Sequence, residues 1–140
     1  MNNIEEQRKK IDSLDDIIAS VLLQRLEAVE QIGGAAVIAR QVPVDNPAAL
    51  RDLADRLRDK LGSGVVVLAG AGGGKALLVA AVTKDLTGRF HAGNIVKAAA
   101  AEVGGGGGGR PDLAQAGGSR PEHLEAALKA ALETIRRMAG

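Results

Sequence analysis

The chain has 140 residues, 46% apolar and 25% charged, with 18 Lys and Arg against 17 Asp and Glu. That is one domain's worth of foldable sequence, and it is neither an acidic disordered tail nor a polybasic arm. It has no Cys, which excludes disulfides, thiolate zinc sites and thiol nucleophiles and fits a cytoplasmic setting. One Phe with no Tyr or Trp cannot build the aromatic platform that stacks loose single-stranded bases.

The charge is unevenly spread. Residues 1–33 hold four Lys/Arg and seven Asp/Glu, whereas residues 34–140 carry a net +4. No apolar run approaches the ~20 residues that span a bilayer. The opening MNNIEEQRKK lacks the apolar stretch of a signal peptide. We therefore expect two parts, an acidic segment 1–33 and a mildly basic body 34–140.

In chain order, residues 3–32 read as one long amphipathic helix, with Ile4, Ile11, Leu14, Ile18 and Val21 at heptad-like spacing. Leu22 and Val29 widen this stripe, Gln7 and Arg25 break it, and Gly33-Gly34 ends it. Such a helix is about 45 Å long, against a body ~35 Å across. Part of the stripe would overhang, and a second copy is its simplest cover, so a homodimer is expected.

Ala35 to Val42 is a short β-prone run. A helix then starts at Asn46-Pro47, carries Leu50, Leu53, Leu57 and Leu61 on one face, and stops at Gly62. Val65 to Leu68 and Ala76 to Val82 read as an antiparallel hairpin joined by a glycine turn, Gly70 to Gly74. His91 to Val103 is an Ala-rich helix running into six glycines, Gly104 to Gly109, read as a loop, and the last helix begins at Pro121. The expected class is α/β, a small mixed sheet with packed helices behind a long N-terminal helix.

Three features invite a chemical reading. GVVVLAGAGGGKA imitates a phosphate-binding loop, but Ala69 and Ala76 stand where that motif needs Gly and Ser or Thr, and a strand follows where a helix is required. Six glycines satisfy a dinucleotide-type spacing trivially, and a helix precedes them where a strand is needed. Glycine does let backbone amides approach an anion closely, although a hinge or a tight crossing uses the same property. Finally, residues 75–110 hold Lys75, Lys84, Arg89, Lys97 and Arg110 against Asp85 and Glu102, with His91 beside them. This is the most electropositive stretch, a surface for an RNA backbone if the side chains share a face and otherwise an ordinary solvated one. His91 and His123 are the only histidines, and no serine sits in a nucleophile-elbow setting. No catalytic group, metal or cofactor is expected.

The segments LRDLADRLRDKLGSGVVVLAG (50–70) and VTKDLTGRFHAGNIVKAAAAEVGGGGGGRPDLAQAGG (82–118) resemble the C-terminal domain of alanyl-tRNA synthetases over about residues 33–131. The resemblance implies a DHH-associated α/β domain that binds the outer corner of tRNA and contributes to dimerisation. It implies no aminoacylation, editing or phosphodiester cleavage and no small-molecule substrate. The candidate RNA surface is Lys84, Arg89, His91, Lys97, Gly106, Gly107, Gly108, Gly109, Arg110 and Gln115.

The N-terminal stretch is similar to the first helix of the all-helical chorismate mutases, with Arg8 and Arg25 where that family places two substrate-binding arginines. The later helices of that family have no counterpart here. The stretch also fits the coiled coil that precedes the C-terminal domain in the synthetase itself. A natural segment, residual mutase activity, and a chimera or designed fusion joined at Gly33-Gly34 therefore all stand as readings of this part.

Overall fold

The structure, a computed structural model, describes residues 29–139. The long N-terminal helix lies outside the described residues except for its last four. Those residues are a strand instead: β1 (Val29–Ile32) pairs antiparallel with β2 (Ala35–Gln41), Val29 opposite Ile38. Gly33 and Gly34, at φ 60° and 82°, form the two-residue turn between them, the conformation that suits the right-handed twist of a hairpin. The diglycine is thus a turn inside a sheet rather than a helix stop.

Helix α1 (Pro47–Leu61) forms as its signals predict. The Asn46 side chain accepts from the Ala49 N–H at 2.8 Å, Leu50, Leu53, Ala54 and Leu57 are buried, and Gly62 ends the helix at φ 75°. It links β2 to β3 (Gly64–Gly72), which run parallel, and β3 turns through Gly73-Gly74 into the antiparallel β4 (Lys75–Val82). This hairpin is longer than its sequence suggests, because Gly70 and Gly72 belong to β3. A Cβ at either would strike the carbonyl oxygen of Val44 or Asp45, so glycine there lets the β2–α1 connection cross the sheet.

After a 3₁₀ turn (Lys84–Leu86), α2 (Ala92–Glu102) is capped by His91, and the chain enters β5 (Gly106–Gly109) and β6 (Leu113–Gly118). The glycine run, expected as a loop, is in large part a strand. A second 3₁₀ turn (Pro121–His123) leads into α3 (Leu124–Ala139). The six strands lie in the order β1-β2-β3-β4-β6-β5, so β5 is an edge strand.

The sheet is covered on both faces. α1 packs with Ile38, Val66, Leu68, Val79 and Ala81 on one side, while Val65, Val67, Leu78, Ala80 and Val82 meet α2, α3 and Phe90 on the other. Alternate strand residues serve opposite cores. The second core is alanine-rich, with Ala92, Ala99, Ala100, Ala127 and Ala131 fully buried, which brings α2 and α3 close to the sheet while contributing little apolar area per residue.

Candidate nucleic-acid interface

Strand pairing gathers several predicted residues at one end of the sheet. The turn after β4 carries Lys84 and Arg89, and the β5–β6 turn carries Arg110. The two segments meet where Val82 N–H donates to Asp112 O at 2.9 Å and Ala92 N–H donates to Pro111 O at 2.9 Å. His91 stands at the same end, at the start of α2. Lys97 is exposed on α2 and Gln115 is half-buried in β6, so these two lie away from that end.

Not all of these side chains are idle. Arg89 donates to Gly33 O at 2.8 Å and stands 5.1 Å from the centre of the Phe90 ring, so part of its guanidinium holds the β1–β2 turn. His91 Nδ1 accepts from Asn94 N–H at 3.2 Å, which in the neutral ring leaves the proton on Nε2. Gln115 Nε2 donates to Pro47 O at 3.0 Å, tying β6 to the start of α1. Arg110 is more open, its side chain 69% exposed and its Nε 3.5 Å from Asp112 Oδ1.

Below the end of α1, a recess of about 260 Å³ is lined by Arg58, Asp59, Thr83, Lys84 and Asp112. Arg58 is spent internally, donating from Nη1 to Asp112 O at 2.8 Å and from Nη2 to Asp55. Beside it Asp85 accepts from the Ser63 hydroxyl at 2.5 Å. That bond, with a further one from Thr83, holds the Asp85 carboxyl below its ordinary range.

The glycines of β5 divide into two sets. Gly107 and Gly109 stand opposite Ala116 and Ala114, in rows that continue to Leu78 and Ala80 on the α2–α3 side of the sheet. A Cβ on either would lie 2.6 or 2.9 Å from those alanines. Gly106 and Gly108 stand in the rows Leu77–Gly117–Gly106 and Val79–Gln115–Gly108, which face the α1 side. Among the described residues, a Cβ at either meets nothing within 4 Å.

On that side α1 packs on β3 and β4, and the outer pair β6–β5 forms a shelf on which Gly106, Gly108 and Gly117 carry no side chain beside Leu113 and Gln115. A recess of about 370 Å³ at one end is lined by Lys75, Leu77, Gly106, Gly117, Gly118 and Ser119. One of about 320 Å³ at the other is lined by Arg51, Gly108, Gly109, Arg110, Leu113 and Gln115. A glycine floor with cations at both ends admits close approach by a flat or ridged polyanion. Lys75 belongs to the predicted electropositive stretch although not to the candidate RNA surface, whereas Arg51 is in neither, because only the β4-β6-β5 strand order brings it beside the glycines.

Comparison with known proteins agrees with this architecture, since the model of the DHHA1 domain matches residues 34–137. The chain belongs to the DHHA1 family. Among solved structures, this DHHA1 chain is similar to the C-Ala domain of Aquifex aeolicus alanyl-tRNA synthetase, at 32% identity and a TM-score of 0.71, covering 77% of this chain and 97% of that one. A DHH domain from a member of the S1p family of ribosomal proteins shares the fold at a TM-score of 0.58 and 15% identity.

The DHHA1 chain is also 58% identical over 129 residues to the alanine–tRNA ligase of Desulfosudis oleivorans, and 46% identical over 142 aligned positions to that of Roseiflexus. It spans 15% and 16% of those proteins. The Roseiflexus alignment covers 98% of this chain, so the N-terminal segment and the DHHA1 body have counterparts within one relative. The dimerisation residues Ile4, Ile11, Leu14, Ile18, Val21, Leu22 and Arg25 lie outside the described residues, and Val29 belongs to β1 rather than to a helix.

Proposed function

We propose that this chain is a non-catalytic tRNA-binding module that holds folded RNA by shape and phosphate contacts on the β5–β6 shelf and the adjoining Lys84–Arg110 end. The observation that carries the reading is the open row at Gly106 and Gly108, where no packing contact among the described residues calls for glycine. Its flanks carry Lys75 at one recess and Arg51 and Arg110 at the other. Likeness to a tRNA synthetase domain supplies the ligand class. A chain with Phe90 as its only aromatic residue, fully buried, has no ring to offer unstacked bases and must read surface shape.

The test is a gel shift comparing folded tRNA with an unstructured RNA of equal length across a salt series. Tighter binding of tRNA is expected, with a slope of log affinity against log salt near −3 to −4 if about four phosphates are neutralised. Absence of binding, or equal affinity for both RNAs, overturns the proposal. The heptad-like N-terminal stripe would pair two such modules in the same cytoplasmic particle. A monomer by sedimentation at tens of micromolar, the weak end of ordinary affinities, overturns that part alone.

A further inference from the structure

We infer that Arg51 of α1 and Arg110 of the β5–β6 turn together hold one backbone phosphate of the bound RNA above Gly108. This assignment rests on the tRNA-binding reading and adds to it a residue from a different element. Both arginines line the recess of about 320 Å³, whose lining among the described residues includes no acidic one. By contrast, the recess under the end of α1 pairs its Arg58 and Lys84 with Asp59 and Asp112.

Arg51 is exposed. Among the described residues its guanidinium has no ion pair or hydrogen bond, the nearby Asp55 being taken by Arg58. Arg110 meets Asp112 only through Nε, at 3.5 Å. Two guanidinium groups flanking one recess suit a phosphate, whose oxygens accept paired N–H donors.

The floor fits the same purpose. Gly108 is not in the left-handed region, and a Cβ there would meet none of the described residues within 4 Å. Neither backbone conformation nor packing therefore calls for glycine at this position. What the missing side chain leaves is room in the recess that both arginines line. A bulkier residue would fill that room without disturbing the opposite, closely packed side of β5.

The experiment measures affinity for tRNA over a salt series with wild type, Arg51→Gln, Gly108→Val and Lys129→Gln, the last removing one exposed cation from α3 on the far face. Arg51→Gln should bind roughly tenfold more weakly at low salt, a loss appropriate to charge-assisted bonds. Its salt slope should be shallower by about one, the value for one phosphate. Gly108→Val should weaken binding to a similar degree while its thermal midpoint stays close to wild type, and Lys129→Gln should keep wild-type affinity and slope. Wild-type binding that survives unchanged in both Arg51→Gln and Gly108→Val overturns this assignment and leaves the tRNA reading standing. So does an equal loss in Lys129→Gln. Failure of wild type to bind tRNA overturns the tRNA reading itself.

Discussion

Arg89 donates a hydrogen bond to the carbonyl of Gly33 across 56 residues of sequence. The Gly33–Gly34 turn joins β1 to β2, and it also lies against Ala139 at the end of α3. Arg89 is thereby a strap as well as a cation. Arg89→Ala should cost about 1 kcal/mol, the net worth of such a bond, and the loss should concentrate in the β1–β2 hairpin. Hydrogen exchange checks this: faster exchange of the Val29–Ile32 and Ala35–Gln41 amides with little change in β3 and β4 is expected, and unaltered hairpin protection contradicts the strap.

The two sets of glycines in β5 predict opposite responses to one methyl group. At Gly107 a Cβ would lie 2.6 Å from Ala116 Cα and from the Gln115 carbonyl oxygen, backbone that cannot move aside without unzipping β6. Gly107→Ala should lose about 1–3 kcal/mol or more, as overpacking does. Gly108→Ala should be neutral or slightly stabilising, since it lowers the entropy of the unfolded chain at an unstrained site. Thermal melts of the two variants side by side give the answer, and equal midpoints would refute the division.

Helix α1 was legible because each of its signals is local: Asn46 caps, Pro47 opens, leucines recur at helical spacing and Gly62 closes. The β3–β4 hairpin was legible for the same reason, although its length depended on the chain crossing at Gly70 and Gly72, a contact between distant segments. β5 was not legible. A run of identical residues without side chains has no periodicity, so the alternation of closed and open faces exists only once β6 lies alongside. β1 was hidden differently, since VEQI continues the helical spacing of the preceding residues, and only pairing with β2 decides it. The site followed suit: Arg110 and the glycines could be named from the sequence, whereas Arg51 needed the strand order.

The Ser63–Asp85 bond makes stability depend on pH in a defined direction. The folded-state pKa of Asp85 is lowered, chiefly by the Ser63 hydroxyl and then by Thr83. The associated stabilisation is therefore fully present above the ordinary carboxylate value of 3.8 and is lost as pH falls through the lower, folded value. Ser63→Ala should narrow the difference in stability between neutral and strongly acidic solution relative to wild type. Urea titrations at both pH values measure it, and an unchanged difference would show that Asp85 gains nothing from Ser63.

Phe90 is fully buried in the cluster that includes Ala92, Ala99, Ala100, Ala127 and Ala131 as well as Ile95, Leu124 and Ile135. The alanines of that cluster have no length with which to refill a void, so part of the cavity left by Phe90→Ala should persist. The cost should reach about 3–5 kcal/mol, a large share of the 5–15 kcal/mol typical of a whole domain. Phe90→Leu keeps most of the volume and should cost less than about 1.5 kcal/mol. Urea midpoints at constant slope resolve the two, and a loss below about 1 kcal/mol for Phe90→Ala would mean that α2 and α3 settle onto the sheet when the ring is gone. Because the ring is enclosed rather than offered to bases, Phe90→Leu should keep wild-type affinity for tRNA under conditions where it is folded. A specific loss of RNA binding in that variant would require Phe90 to reach the surface, which its burial forbids.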